Sequence, residues 1–516
     1  MKICLIKPPI LHKGASFALM PTAPLGLAYI AGALKREQHE LQVVDATAEG
    51  INNTEFFKEN VFVFGLNKNS VTAKVKVDTQ VICFSCMFTN NWMYDREVIQ
   101  TVRLAFPNAV LVAGGEHVTA APVFSMTQAS GLDYIVLGEG EETIISLINA
   151  IERNEATDNI AGIVFRKDGQ IVQNKKRARI AELNGITWPA WEFFPVNLYF
   201  DNRMSHGVFR GNTLPVMASR GCPYDCTFCS SPQMWGRKYQ IRTAKDFVDE
   251  LEYLYSEFGA VNFDLYDLTA IIYRDWTIEM CQEIVRRELK ISFQLPSGTR
   301  SEAIDFEVAK HLFEAGCKNI TYAPESGSKK VLQEVRKKVK IPSMLKSISS
   351  SNAAGLNVHL NMIIGFPDDR HIDIVYTLLF LVKCSWNGAN DVAIAVFTPY
   401  PGSVLYDQLS QNGELDLYND DCLMEIIDSY DLWPSKVYSK NISGLSIKLY
   451  VFILLISFYG SNYLFRPWRL LVTLRNLIKN KHESRLEQIL YKNFIKNVIR
   501  TFSLSRLKPS WDSHNL

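Results

Sequence analysis

The chain has 516 residues, which is more than one hydrophobic core usually holds, so two or three domains are predicted. Hydrophobic residues make up 47% of it and charged residues 21%, the proportions of a globular protein, and these exclude an intrinsically disordered chain. The formal net charge of +1 gives no overall attraction to nucleic acid, and no nucleic-acid partner is expected.

Residues 1–150 alternate short apolar segments with helical patterns, which predicts a Rossmann-like, doubly wound parallel sheet. The predicted strands are residues 3–7, 41–45, 80–85, 109–113 and 134–137. Two of them are followed by glycine-rich turns, Gly114-Gly115 and Gly138-Glu139-Gly140. Because ligands bind at the carboxyl ends of the strands in such sheets, these turns are candidate binding loops.

Residues 151–210 are predicted to form a connector with a β-hairpin that turns at Asp168-Gly169. From 211 to 405 the alternation resumes in six strand–helix units, which predicts a partial (β/α)6 barrel. The predicted barrel strands are residues 214–219, 262–265, 292–295, 319–322, 358–364 and 393–397. Residues 406–516 are predicted to form a mainly helical C-terminal region.

The C-terminal region is basic and contains an apolar segment. Between Lys448 and Lys508 there are twelve Lys or Arg against two acidic residues. The apolar segment, residues 449–459, is shorter than the ~20 residues that span a bilayer, and no segment is predicted to reach that length. Two interpretations stay open: a helix packed on the barrel with a solvated basic face, or contact with a membrane surface or an anionic substrate.

The ten cysteines do not have the pattern of a disulfide framework. Seven are scattered, often within apolar segments, where buried free thiols are expected, and three are clustered within eight residues. The first seven residues are too short for a secretory signal and are followed at once by Pro8 and Pro9. A reduced, cytoplasmic location is therefore expected.

Cys222, Cys226 and Cys229 follow the first predicted barrel strand with C-x3-C-x2-C spacing. Three thiolates on one tight loop can hold three corners of a [4Fe–4S] cluster. No fourth cysteine is close in sequence, so one iron would keep an open site for a small molecule. The alternatives are zinc, which takes four protein ligands in structural sites, and a chance grouping of loop cysteines.

Further motifs follow the cysteine loop in order. They are Phe263-Asp264-Leu265-Tyr266-Asp267, Arg300, Ala323-Pro324-Glu325-Ser326-Gly327 and Asn361-Met362-Ile363-Ile364-Gly365-Phe366-Pro367. Together with the cysteines, these motifs make residues 213–400 resemble the radical S-adenosylmethionine (SAM) superfamily. The resemblance implies that the open iron binds the amino and carboxylate groups of SAM and that one electron cleaves SAM to a 5′-deoxyadenosyl radical. The SAM contacts that it implies are Phe228, Asp267, Arg300, Glu325 and Gly365.

The N-terminal half carries motifs of its own. They are Pro8-Pro9, residues 24–31, Val44-Asp45-Ala46, residues 114–122 and Gly138-Glu139-Gly140-Glu141-Glu142. In their order and spacing they resemble the cobalamin-binding subgroup of radical SAM enzymes. The cobalamin contacts that this implies are Ser85, Thr89, Gly114, Gly115, Glu116, Gly138 and Gly140. The alternative is a degenerate domain whose glycines only form tight turns.

The Asp-x-His-x-x-Gly motif, through which many cobalamin proteins bind cobalt, is absent from the sequence. His117 is therefore interpreted as a packing or polar contact of its loop and not as a cobalt ligand.

The resemblance implies three cofactors: a [4Fe–4S] cluster, SAM and cobalamin. The leading hypothesis is methylation of an unactivated carbon in a small-molecule or natural-product substrate. The first alternative is radical oxidation or cyclisation, as in the anaerobic ester cyclases that the subgroup resembles. The second is an iron–sulfur sensor or scaffold without enzymatic activity. A flavodoxin or ferredoxin-type electron donor is implied, because nothing in the chain supplies electrons.

Overall fold

The computed structural model describes residues 1–13, 21–428 and 436–491. The predicted basic tail from residue 492 onward therefore lies outside the described residues. The strands, in chain order, are β1 (Lys2–Lys7), β2 (Ile10–Lys13), β3 (Glu40–Asp45), β4 (Thr54–Lys58), β5 (Val61–Phe64), β6 (Val81–Ser85), β7 (Val110–Gly114), β8 (Tyr134–Val136), β9 (Ile163–Lys167), β10 (Gln170–Gln173), β11 (Thr213–Val216), β12 (Ser219–Arg220), β13 (Gln240–Ile241), β14 (Asn262–Leu265), β15 (Ser292–Thr299), β16 (Cys317–Glu325), β17 (Asn357–Ile364) and β18 (Asp391–Val396).

The helices connect these strands and form most of the C-terminal region. In chain order they are α1 (Leu25–Arg36), α2 (Ala46–Glu49), α3 (Lys68–Lys74), α4 (Trp92–Ala105), α5 (Glu116–Ala120), α6 (Pro122–Gln128), α7 (Glu141–Glu152), α8 (Val196–Asp201), α9 (Ser231–Trp235), α10 (Ala244–Phe258), α11 (Arg274–Arg286), α12 (Phe306–Glu314), α13 (Lys329–Glu334), α14 (Ile341–Ala353), α15 (His371–Trp386), α16 (Val404–Gln411), α17 (Asp420–Asp428), α18 (Gly444–Phe465), α19 (Trp468–Lys479) and α20 (Arg485–Leu490).

The first sheet has seven strands in the order β10-β9-β8-β7-β6-β1-β3. The five strands from β8 to β3 are parallel, which confirms the doubly wound prediction. Ile3, Cys4, Leu5 and Ile6 of β1 are at most 1% exposed, because helices cover both faces of the sheet.

The hairpin assigned to the connector belongs to this sheet. Strand β9 pairs antiparallel with β8, and β10 pairs antiparallel with β9. Ile163 and Val164 are fully buried, so their apolar side chains dock the hairpin on the sheet and do not leave it as a separate link. The first structural unit thus continues beyond residue 150. A small antiparallel sheet, β2-β5-β4, was not predicted because its strands are short and its two outer strands mix charged with apolar residues.

The second large sheet has six strands, in the order β11-β14-β15-β16-β17-β18. All five pairings between them are parallel, which confirms the predicted partial barrel. Strands β15 and β16 are longer than predicted, because irregular register carries each of them past its expected end. Glu325 is consequently the last residue of β16.

Helix α18 corrects the prediction that no segment reaches the length of a membrane span. It has 22 residues and is the one helix in the described part of the chain that is long and apolar enough to cross a membrane. It runs beside α15: the His371 ring nitrogen Nδ1 lies 2.7 Å from the Tyr450 hydroxyl, and the rings of Trp386 and Phe465 are 4.9 Å apart. One face of α18 therefore packs on the barrel.

Helix α20 lies at the end of the barrel where the strands begin. The backbone N–H of Arg485 donates to Asp391, the first residue of β18, at 2.8 Å. The amide of Asn319, near the start of β16, donates to the Glu483 carbonyl at 2.9 Å. The C-terminal region is helical as predicted, but its position beneath the barrel could not be read from helical spacing alone.

Candidate functional site

The three cysteines lie on the loop between β12 and α9, above the first barrel strand. All three thiols are partly exposed, and each is free of a disulfide. Burial raises the pKa of Cys226 to about 11, and burial also raises the pKa of Cys229. Repulsion from Cys229 and Cys222 adds to the rise in the pKa of Cys226, and repulsion from Cys222 adds to the rise in the pKa of Cys229. Such thiols need a bound positive centre to ionise together.

The geometry does not match a site for a single metal ion. Among the residues that the structure describes, no three His, Cys, Asp or Glu side chains are grouped so that they could hold one ion. A four-iron cluster spreads its thiolates farther apart than a single ion does. Three free thiols on one loop therefore fit the cubane better than they fit zinc.

The backbone at Gly221 shows why the loop needs a glycine before its first cysteine. Gly221 has φ +86°, and a Cβ atom there would lie 2.2 Å from the Lys238 carbonyl oxygen. Lys238 precedes β13, which pairs with β12. The close approach of these two backbone segments holds the loop over the barrel.

Glu325 lies beside the cysteine loop, held by a lysine that sequence analysis missed. The carboxylate of Glu325 is 2.8 Å from the ammonium of Lys337, and both side chains are largely buried. Burial raises the pKa of Glu325, and the nearby Lys337 opposes that rise. The Lys337 ammonium also lies 5.9 Å from the centre of the Phe228 ring and lowers the pKa of Cys226. Glu325, Lys337 and Phe228 therefore border one side of the cysteine loop.

Arg300 and Gly365 approach the same loop. The Arg300 guanidinium lies 4.0 Å from the centre of the Tyr224 ring, and Tyr224 is two residues before Cys226. Gly365 has φ +82° and follows β17, and the ring of its neighbour Phe366 is 5.6 Å from that of Phe228. The structure thus brings four of the five implied SAM contacts to the loop.

Asp267 is the fifth, and it contacts the residues that lead into the loop. Its carboxylate is fully buried and accepts hydrogen bonds from the Ala218 backbone N–H at 3.2 Å and from the Ser219 hydroxyl. Burial raises the pKa of Asp267 to about 6. Asp267 therefore anchors the turn between β11 and β12, and its role as a SAM contact stays a prediction.

The implied cobalamin contacts lie at the carboxyl ends of β6, β7 and β8. Ser85 and Gly114 are paired across β6 and β7. The nearest atom to a Cβ atom built on Gly114 is 3.8 Å away, so this strand end leaves room for a flat group. Gly115 has φ +122°, and a Cβ atom on it would lie 2.5 Å from the Cys86 carbonyl oxygen, so its role is to form the turn.

Thr89 and His117 are buried behind this edge. Nitrogen Nδ1 of His117 is 3.0 Å from the Thr89 hydroxyl, and Nε2 is 3.4 Å from the Ser125 hydroxyl. Burial lowers the pKa of His117 to about 3, and the ring packs 4.7 Å from the Trp92 ring. Both nitrogens have polar neighbours, which supports the interpretation of His117 as a packing residue. Thr89 orients His117 and is itself only 5% exposed.

The remaining implied contacts face the cysteine loop across the domain boundary. The Ser230 hydroxyl, directly after Cys229, donates to the Glu116 carboxylate. A Cβ atom on Gly138 would lie 3.5 Å from the Met234 carbonyl oxygen in α9. A Cβ atom on Gly140 would instead meet the Ile30 side chain at 3.0 Å, so Gly140 packs against α1.

Arg220 is the second residue that sequence analysis missed. It is buried between the rings of Tyr29 and Trp235, at 5.2 and 5.5 Å from their centres. Its guanidinium lies 2.5 Å from Glu141 and 3.5 Å from Glu139, at the start of α7. In the sequence, the only sign of its importance was its position two residues before Cys222. The carboxylates of Glu139 and Glu141 that pair with it are recognised only in the fold.

The N-terminal sheet edge and the loop above the barrel thus lie against each other. Comparison with protein families matches the B12 binding domain to residues 18–148 and the radical SAM superfamily to residues 216–381. The chain therefore carries a B12-binding domain followed by a radical SAM domain. Each matched region contains the central strands of one large sheet. The two regions meet where Glu116 contacts Ser230 and where Arg220 contacts Glu141.

Curated relatives of this radical SAM enzyme align over most of the chain. An uncharacterised methyltransferase of Pyrococcus horikoshii is 27% identical over 418 residues, which cover 80% of this chain and 84% of that protein. The anaerobic magnesium-protoporphyrin IX monomethyl ester cyclase of Cereibacter sphaeroides is 26% identical, with 81% of this chain and 65% of the cyclase aligned.

A solved structure shares the fold. The radical SAM methyltransferase TsrM from Kitasatospora setae, with cobalamin and a [4Fe–4S] cluster bound, superimposes with a TM-score of 0.63. The alignment covers 80% of this chain and 78% of TsrM at 16% identity, which shows a common architecture.

Proposed function

We propose that this radical SAM enzyme methylates an unactivated carbon of a small-molecule or natural-product substrate. One observation carries the proposal: the loop with the three cysteines lies directly against the carboxyl edge of the B12-binding sheet, through Ser230 and Glu116. Chemistry at a cluster and at cobalamin would therefore share one enclosed space. The methyltransferases among the relatives support this choice.

The residues have separate roles in this proposal. When bound, the cluster supplies one electron for the cleavage of SAM, and cobalamin carries the methyl group. Cys222, Cys226 and Cys229 hold the cluster. Lys337 offers its ammonium to the SAM carboxylate and Glu325 offers its carboxylate to the ribose or amino group, since their mutual pairing at 2.8 Å already orients both. The side of the cysteine loop that lies against the B12-binding domain would shield a reactive radical from water.

Radical oxidation or cyclisation is the second candidate, favoured by the similarity to the ester cyclase. The two are separated by incubating reduced enzyme with methyl-labelled SAM and a small-molecule extract of its host cell. Label in a new product supports methylation, whereas a new ring or oxygen from water without label supports the cyclase type.

A sensor or scaffold predicts no turnover of SAM. The test is 5′-deoxyadenosine formation under dithionite, with the Cys222→Ala variant as control. Nucleoside above the level of the control ends the sensor hypothesis. Equal levels in both proteins end the proposal of radical chemistry.

We also propose that an external flavodoxin or ferredoxin supplies the electron and that the enzyme works in the cytoplasm. All ten cysteines are free thiols, which supports a reducing compartment.

We further propose that the C-terminal helices touch a membrane surface. The exposed positions of α18 include Leu445, Leu449, Ile456 and Leu464, which are 59% to 80% exposed and lie opposite its packed face. From residue 444 to 479 the chain has five Lys or Arg and no Asp or Glu. An apolar face with basic flanks matches the interface of an anionic bilayer.

A further inference from the structure

Three cations surround the outer side of the cysteine loop. The side chains of Arg237, Arg336 and Lys338 approach the Asp225 carboxylate to 3.8, 3.9 and 4.0 Å. They are 59%, 57% and 70% exposed, so a single carboxylate neutralises only part of their charge. We call these three residues the cationic rim. Its net charge is positive, and it faces solvent.

The cationic rim is next to one cluster ligand. Asp225 immediately precedes Cys226, and the Cys226 sulfur lies 3.9 Å from the Arg336 carbonyl oxygen in a solvent-exposed contact. Cys229 lies on the other side of the loop, where Ser230 contacts Glu116 of the B12-binding domain. Cys226 is therefore the thiol through which an outside partner comes closest to the cluster site.

We propose that the cationic rim is the docking surface of an acidic electron-transfer protein. This inference rests on the proposed function, which needs an external reductant. In the step itself the donor is oxidised by one electron and the cluster is reduced by one electron, with no bond made or broken. Complementary charge raises association rates by about 10- to 1,000-fold and is sensitive to salt, which suits a donor that must bind briefly and leave.

The test uses flavodoxin as the probe and the Arg237→Glu/Lys338→Glu double variant. The matched control is Lys245→Glu/Lys310→Glu, which reverses two exposed lysines on the barrel helices α10 and α12. Binding of flavodoxin to the full-length protein is titrated at low and high salt. The rate of cluster bleaching is measured with reduced flavodoxin and, separately, with dithionite.

The cationic-rim variant should bind flavodoxin at least tenfold more weakly at low salt and lose the salt dependence of binding. It should be reduced more slowly by flavodoxin and at an unchanged rate by dithionite. Equal flavodoxin binding in wild type and variant, or an equal loss in the control, would overturn the proposal. Slower reduction of the cationic-rim variant by dithionite would also overturn it, because the substitutions would then affect the cluster directly and not the docking of a donor. A cluster that is reduced but yields no 5′-deoxyadenosine would refute the proposed function and leave the docking result standing.

Discussion

At the scale of single residues, Asp267 shows how an acidic motif can serve the backbone. It follows the second barrel strand, where the family resemblance implies a SAM contact, yet its two oxygens accept hydrogen bonds from Ala218 and Ser219. Those residues lead into the cysteine loop. The carboxylate therefore shapes the loop from below.

Replacing Asp267 with asparagine should leave SAM affinity unchanged and alter the pH dependence of stability. Burial raises the folded-state pKa of Asp267 to about 6. The protonated form is therefore favoured in the fold, and the stability associated with it is lost as pH rises from 4 through 6. Because asparagine cannot ionise, we expect the variant to gain up to about 3 kcal/mol relative to wild type over that range.

The measurements are chemical denaturation of the protein between pH 4 and 7.5 and SAM binding by the reconstituted enzyme. A stability difference that does not change with pH would contradict the burial argument. Weakened SAM binding at equal cluster content would restore Asp267 as a SAM contact.

Gly221 gives a second prediction at this scale. Gly221→Ala places a Cβ atom 2.2 Å from the Lys238 carbonyl in a left-handed conformation, so about 1–3 kcal/mol of strain is expected. Iron content after reconstitution should fall together with thermal stability. Gly26→Ala in α1 is the control, because no atom lies within 4 Å of the added Cβ atom, and it should be neutral or stabilising by up to about 1 kcal/mol. Full iron content in Gly221→Ala would show that the loop can accommodate the added Cβ atom.

At the scale of elements, α18 carries apolar residues on two opposite faces. Ile447, Val451, Leu454 and Phe458 form the stripe packed on the barrel, and a second apolar stripe points outward. The sequence-based boundary at residue 449 came from counting continuous apolar residues. The helix instead includes the polar residues Ser446, Lys448 and Asn462. Asn462 can be buried there because its side-chain amide donates a hydrogen bond to the Ala389 carbonyl at 2.6 Å.

The Leu449→Glu/Ile456→Glu variant tests the outer stripe. We expect wild-type protein to float with vesicles of phosphatidylcholine and phosphatidylglycerol, and the variant to bind them at least tenfold more weakly. Val77→Glu/Leu104→Glu is the matched control, since these residues are 94% and 74% exposed on the N-terminal domain. Wild-type protein that stays with the soluble fraction, and dimerises through this face, would replace the membrane proposal with a second copy of the chain.

At the scale of the whole molecule, the cysteine loop is held in place by side chains from both domains. Arg220 starts the loop in the barrel domain, while Tyr29, Glu139 and Glu141 come from the B12-binding domain. A buried cation enclosed by carboxylates and aromatic rings is costly to leave unpaired. The loop geometry therefore depends on the docking of the two domains.

Arg220→Met should expose this dependence, because it leaves Glu141 buried without its partner. We expect a loss of about 3–5 kcal/mol in stability and a lower iron content. Arg177→Met is the control, since Arg177 reaches Glu142 on the same helix at 3.4 Å and at a more exposed site. It should cost only about 0–1 kcal/mol. If denaturation experiments show equal losses of unfolding free energy in the two variants, the buried Arg220 pair contributes no more to stability than the exposed Arg177 pair.

Local sequence was sufficient for the position of most strands in the two large sheets and for the loop with the three cysteines. Buried parallel strands such as β1 are nearly continuous apolar runs, and three cysteines within eight residues must share one loop whatever surrounds them. The SAM and cobalamin contacts came from family resemblance, and they stay predictions even where the structure gathers them at the loop.

Only the tertiary structure decided which long-range partners meet. Sequence spacing does not predict contacts between distant residues. Arg220 and Glu141 are 79 positions apart, and Ser230 and Glu116 are 114 positions apart. Sequence spacing also could not show that the carboxylate of Asp267, at a strand end, accepts hydrogen bonds from the start of the cysteine loop. The cysteine spacing predicted a cluster site from the sequence alone. Packing determined which charged side chains lie around that loop, because electrostatic pairing depends on distance in space and not along the sequence.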